Sequence, residues 1–166
     1  MQNRNRAGDM LVRLYDLDFF DAAERERELK EHGIEIVRPL PYQFDRVVNF
    51  VTRFRTQWGE EVRAALYNSP ATLFAAIQRG QGIVGFAAYD ATAKGFFGPT
   101  GTLPEVRDKG TQRALFYACA MDMWRAGYGY LIIGGGNTGA EAGFYQKIAG
   151  AEPISNSMPG IYAHRL

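Results

Sequence analysis

Cysteine and histidine are scarce in this chain. Cys119 is the only cysteine among 166 residues, and the two histidines, His32 and His164, lie far apart. A lone cysteine cannot close an internal disulfide, so a reducing compartment, the cytoplasm, is the expected location. No paired Cys/His spacing supports a structural zinc site, and no metal is expected. No apolar run approaches the length of a membrane span. The polar, Arg/Asn-rich stretch 1–8 is followed by nothing that suits a signal peptide, and it reads as a frayed tail. A formal net charge of +1 gives no global electrostatic support for binding nucleic acid or a membrane surface. There is no G-x-S-x-G elbow for a hydrolase. The run Gly134-Gly135-Gly136-Asn137 lacks the Gly-Lys-Ser/Thr ending of a nucleotide loop, so its glycines are expected to let the chain turn.

What is present fits one domain with a real core: 46% hydrophobic and 22% charged residues over an ordinary domain length. Residues 10–17 have the apolar alternation of a short strand. Residues 18–31 are charge-dense and suit a helix capped by Asp18. Strand patterning follows at 34–40. Phe44, Val47, Val48, Val51 and Phe54 then recur at helical spacing, and a shorter helix is expected at 60–67. Segments 71–78 and 83–89 around Arg79-Gly80-Gln81-Gly82 form a hairpin, and 96–103 is another extended run. A helix is expected at 111–126, with Leu115, Phe116, Cys119, Ala120, Met123 and Trp124 as its apolar stripe. Cys119 on that stripe reads as core rather than nucleophile. An apolar central strand at 128–133, a helix at 140–149 and two last strands, 151–156 and 161–165, complete a mixed α/β chain without regular βαβ alternation.

The chemistry-bearing stretch runs from Leu103 through Pro104, Glu105, Val106, Arg107, Asp108, Lys109, Gly110, Thr111 and Gln112 to Arg113. It sits where a strand ends and a helix begins. Unpaired N–H groups and the positive dipole end of a helix start favour anions. Arg107, Lys109 and Arg113 add positive charge, and Gly110 permits close approach or a positive φ. A second stretch, Asn137 to Gly150, places Tyr145 on a short helix beyond the apolar strand. Ligands commonly bind outside the C-terminal strand ends of open sheets.

These two segments resemble the GNAT (N-acetyltransferase) superfamily. Arg107-x-x-Gly110 after a strand resembles its pyrophosphate signature, and Asn137…Phe144-Tyr145-x-Lys147…Gly150 resembles its second block. The likeness covers 34–166 as the acyltransferase domain, with 1–33 as an N-terminal extension of tail, strand and charged helix. It implies an α/β fold in which two strands splay apart around acyl-CoA. It implies main-chain contacts to the pantetheine arm from Thr100, Gly101, Thr102 and Leu103. Pyrophosphate contacts would come from the amides of Arg107, Asp108, Lys109, Gly110, Thr111, Gln112 and Arg113, and Asn137 would reach the pantetheine. Tyr145 would be the leaving-group acid. The implied activity is transfer of an acetyl group from acetyl-CoA to a primary amine of a small molecule or peptide. The alternative is a non-catalytic module that keeps the fold and binds acyl-CoA or serves as a regulator. One departure stands out: the last small residue of the signature is Gln112, whose side chain must turn away from the phosphates or contact them. Glu105, Asp90, Glu60 and Glu61 are the carboxylates considered as base, each more simply read as a solvated charge. Trp58, just before Gly59, is the best aromatic candidate for an acceptor pocket beside Phe96, Phe97 and Tyr89, while Phe54 reads as core. A homodimer is the expected assembly, since the fold leaves sheet edges open.

Overall fold

The computed structural model describes residues 8–136 and 139–163. Its strands are β1 (Met10–Arg13), β2 (Ile34–Val37), β3 (Leu73–Gln78), β4 (Gly82–Tyr89), β5 (Phe96–Thr102), β6 (Tyr130–Ile133) and β7 (Glu152–Pro153). They form one sheet in the order β2-β3-β4-β5-β6-β1-β7. Every pairing is antiparallel except β5 with β6. The helices are α1 (Phe19–Glu31), α2 (Phe44–Val51), α3 (Trp58–Leu66), α4 (Thr111–Arg125) and α5 (Gly139–Ala149).

Each face of the sheet buries its own apolar layer, as an amphipathic helix and a pleated strand require. Leu115, Phe116, Cys119, Ala120 and Met123 of α4 pack with Met10, Val12, Leu29, Val84, Phe97 and Leu131 on one face. Val47, Val48, Phe50 and Val51 of α2, with Val62, Ala65 and Leu66 of α3, pack on Leu73, Phe86 and Ala88 on the other. Trp124, expected on the buried stripe of α4, is 44% exposed. It stands at the rim of an arc whose centre lies near Met123, and Ala114 and Tyr117 are buried instead. Asp18 caps α1 as expected, its carboxylate accepting from the Asp21 amide at 3.0 Å.

The N-terminal strand lies inside the sheet. β1 runs antiparallel to β6, with Met10 opposite Ile133 and Val12 opposite Leu131, and β7 pairs on its other side. The strand expected at 151–156 shrinks to Glu152–Pro153. At 161–163, where a strand was expected, the chain makes a 3-10 turn, Gly160–Ala163. β1 already holds the position beside β6 that a returning C-terminal strand would need.

Because Met10 is fully buried, Met10→Ala should destabilise the fold by on the order of 2–5 kcal/mol through lost contacts and a cavity. Urea denaturation measures it; a change near zero would mean β1 is an appendage.

Candidate functional site

A cleft forms because β5 and β6 part company. They pair only at Phe96 with Ile132 and Phe97 with Ile133, while β5 continues to Thr102. The divergence begins at Gly98-Pro99. There the register with β4 slips, since Tyr89 faces Phe97 but Ala87 faces Thr100, so β5 spends an extra residue. Gly98 takes φ +117°, a region that side chains rarely adopt. Pro99 has no N–H to offer either neighbour, which confines it to edges and bulges. Beyond the bulge, the Leu103 amide donates to the Val84 carbonyl at 2.8 Å. Backbone groups alternate direction along a strand, so those of Thr100 and Thr102 face away from β4, toward the gap. The Thr102 carbonyl accepts from Arg107 Nε at 3.3 Å.

The expected anion cradle sits at the exit of β5. A 3-10 turn, Pro104–Lys109, leads into α4, and Gly110 caps that helix in the left-handed region at φ +83° with no side chain to close its first turn. The Ala114 amide reaches the Gly110 carbonyl. Among the described residues, the amides of Thr111, Gln112 and Arg113 bond to no main-chain carbonyl. Nothing lies within 4 Å of where a Gly110 Cβ would stand, so the approach to these amides is open. Arg107, Asp108 and Lys109 are exposed. Arg113 is turned elsewhere: its guanidinium pairs with Asp21 of α1 at 2.8 Å and lies over the Tyr117 ring at 4.5 Å. Its charge is therefore largely spent on α1, and its amide is what remains for an anion.

The same cleft is lined by Trp58, Phe97, Pro99, Ile133, Glu141 and Tyr145 and holds about 110 Å³. Tyr145 is 3% exposed and is boxed by the rings of Phe97, Phe116 and Phe144 at centroid distances of 6.0, 5.8 and 5.2 Å. Burial pushes its phenol above the ordinary tyrosine range, and the Glu141 carboxylate adds to the rise. A hydrogen bond from the Gln112 side chain works the other way. The Gln112 side chain thus acts on the Tyr145 phenol, which fits the first of the two courses open to it, away from the phosphates.

Trp58 reaches the cleft from α3 while packing on Phe86 at 6.1 Å. Phe54 belongs to the core, against Gly101 and Phe86. Tyr89 is elsewhere, its hydroxyl donating to Asp122 at 2.7 Å. Cys119 is fully buried, and burial raises its thiol well above the usual range. The four carboxylates considered as base are engaged away from the cleft lining. Asp90 accepts from the Gly95 amide at 2.7 Å and from the Tyr128 hydroxyl. Glu61 accepts from Thr92 at 3.0 Å. Glu105 meets Gln81 at 3.4 Å, and Glu60 meets Arg63 at 3.9 Å. The carboxylate in the cleft is Glu141, which the sequence reading passed over. Its spacing was the available signal, because residues four apart on a helix share a face. Asn137 lies outside the described residues. Among those described, no helix is long and apolar enough to cross a membrane, and no cluster of His, Cys, Asp or Glu could hold a metal ion.

No protein-family model matches the sequence, and no curated protein does. Solved structures do match. A GCN5-related glucosamine N-acetyltransferase region of a fungal multi-domain β-N-acetylglucosaminidase aligns at TM-score 0.69 and 12% identity, over 93% of this chain and 20% of that one. A GCN5-related N-acetyltransferase from Sphaerobacter thermophilus aligns at TM-score 0.61 and 17% identity, over 91% of this chain and 50% of the other. L-PGS from Bacillus licheniformis aligns at TM-score 0.50 and 12% identity, over 82% and 50%. The chain thus spans about a fifth to a half of the length of these neighbours. It has the fold of the GCN5-related N-acetyltransferases, and fold alone does not assign a substrate.

The tyrosine environments set an alkaline limit on stability. The Tyr128 phenol is pushed up to about 12 by burial and then by its bond to Asp90, and Tyr145 is also raised. Groups raised on folding support the native state fully below their unfolded value, near pH 10, and that support is lost as pH climbs through the folded values. Urea midpoints should fall above roughly pH 10, and less steeply in Tyr145→Phe. Parallel curves for the two proteins would refute the buried placement of that phenol.

Proposed function

We propose that this chain is an acyl-CoA-dependent N-acyltransferase that moves an acetyl group from acetyl-CoA to a primary amine. The observation that carries the reading is the buried Tyr145 phenol beside the gap between two parted strands, with the open amides of a helix start nearby. Acetyl-CoA supplies an activated acetyl thioester. The left-handed Gly110, the open approach above it and the unbonded amides of Thr111, Gln112 and Arg113 suit a diphosphate. Amides of Arg107, Asp108 and Lys109 would complete that cradle. The main chain from Thr100 to Leu103 is the place for the pantetheine arm. Thr100 offers the freer edge, because the Thr102 carbonyl already takes Arg107. Asn137 is assigned to the same arm by the resemblance.

Catalysis then falls to a few groups. An N–H on the free edge of β5 would stabilise the oxyanion that forms on the acetyl carbon. A phenol held above its ordinary range keeps its proton at neutral pH. Tyr145 therefore hydrogen-bonds the departing sulfur rather than surrendering its proton outright. A Gln112 amide donating to the phenol oxygen would leave the phenol's own proton for the sulfur. The acceptor is an amine-bearing small molecule; glucosamine, after which the fungal neighbour's acetyltransferase region is named, is a sensible first probe.

Calorimetric titration with acetyl-CoA and a CoA-release assay over a panel of amines test this. The wild type should bind and turn over, and Tyr145→Phe should lower kcat by roughly 100-fold with affinity retained. Gly110→Val should weaken acetyl-CoA binding at least about tenfold, since the left-handed position and the open approach are both lost. Binding without turnover would favour a non-catalytic acyl-CoA-binding module. No binding would refute the site.

Gln112→Gly separates the two roles open to that side chain. Affinity should hold within about twofold while kcat falls severalfold, the size of one hydrogen bond of about 1 kcal/mol. A large loss of affinity would make Gln112 a phosphate ligand.

A further inference from the structure

We infer that Glu141 is the general base of this site, the carboxylate that receives the acceptor amine and takes its proton. The inference rests on the acyltransferase reading above. Glu141 opens α5 one turn before Tyr145, and both line the same cleft with Trp58, Phe97, Pro99 and Ile133. The remaining lining residues are aromatic, aliphatic, glycine or threonine, so Glu141 is the one carboxylate there among the described residues. It is exposed and makes no hydrogen bond or ion pair with any described residue, so its charge is not already spent. Other nearby carboxylates are committed: Asp9 accepts from the Gly135 amide at 3.0 Å, and Asp90 and Glu61 are held as described. Arg55 lies over the Trp58 ring of the aromatic wall at 5.4 Å and is not paired with Glu141.

The chemistry needs such a group. An ammonium has no lone pair, so it must lose a proton before it attacks. The Glu141 carboxylate attracts the ammonium and accepts one proton, which it later passes to water. The freed nitrogen pair forms the C–N bond to the acetyl carbon, and the C–S bond breaks with its electrons going to sulfur. Tyr145 steadies that sulfur by hydrogen bonding. The second proton released from nitrogen as the amide forms neutralises it as thiol. Tyr145 and Glu141 thus divide the work on one helix face: the buried phenol serves the leaving group, and the open carboxylate serves the nucleophile.

The test compares wild type, Glu141→Gln and Glu141→Asp at saturating acetyl-CoA. One set of acceptors is protonated at pH 7 (glucosamine, a polyamine, an arylethylamine); the other acceptor is hydroxylamine, already neutral there. Glu141→Gln should lose about 100-fold or more in kcat/KM with the ammonium-type acceptors and little with hydroxylamine. Its acetyl-CoA affinity should be unchanged, and Glu141→Asp should recover part of the rate. Full activity of Glu141→Gln with the ammonium-type acceptors, or an equal loss with hydroxylamine, overturns the base assignment and leaves the acyltransferase reading standing. Failure of the wild type to acetylate any of these acceptors, hydroxylamine included, overturns both.

Discussion

A missing hydrogen-bond donor governs this structure. Pro99 cannot contribute an N–H to the ladder, and with Gly98 at φ +117° it forces the extra residue that shifts β5 against β4. After two pairs of contact with β6, β5 follows β4 alone. Everything that resembles a site follows from that parting: the free edge at Thr100 and Thr102, the cleft floor at Tyr145, and the exit of β5 into the turn that starts α4. Closing the two strands would leave the helix start and the phenol with nothing between them.

The cleft joins the two cores of the molecule. Trp58 belongs to the layer of α2 and α3 and packs on Phe86, whereas Phe97, Phe116 and Tyr145 belong to the layer under α4. The walls come from opposite faces of the sheet, and only the parted strands let them meet. Such a site is stiff, because each wall is held by close-packed aromatics whose displacement would open voids in a core. Among the described residues the polar side chains lining the cleft are few: the Tyr145 phenol, the Thr100 hydroxyl and the Glu141 carboxylate, with the main-chain amides of the α4 start nearby. Their roles are set by environment. Burial keeps the phenol protonated, and exposure leaves the carboxylate free to meet a cation.

The N-terminal segment is part of the same construction. β1 takes the place beside β6, and α1 supplies Asp21, which draws the Arg113 side chain off the helix start. Residues far from the signature in sequence thereby decide which of its cations remain available. The signature read as sequence counts three positive side chains; the folded chain leaves Arg107 on the Thr102 carbonyl, Lys109 exposed and Arg113 engaged.

Local rules sufficed for most of the architecture. Asp18 capped its helix, the 79–82 turn joined β3 to β4, the Leu115 to Met123 stripe faced the sheet, and Gly110 took the positive φ that was one of the two uses open to it, because each depends on nearest neighbours and a short period. The cleft partners were not legible in that way. Arg113 on Asp21 and β1 beside β6 join segments distant along the chain, and the loss of a strand at 161–163 follows from them; no periodicity encodes which distant segment wins a place. Sequence by itself determined most of the elements and the helix start. Only the tertiary structure decided which side chains face the cleft, because that depends on which long-range contacts the packing of both cores allows.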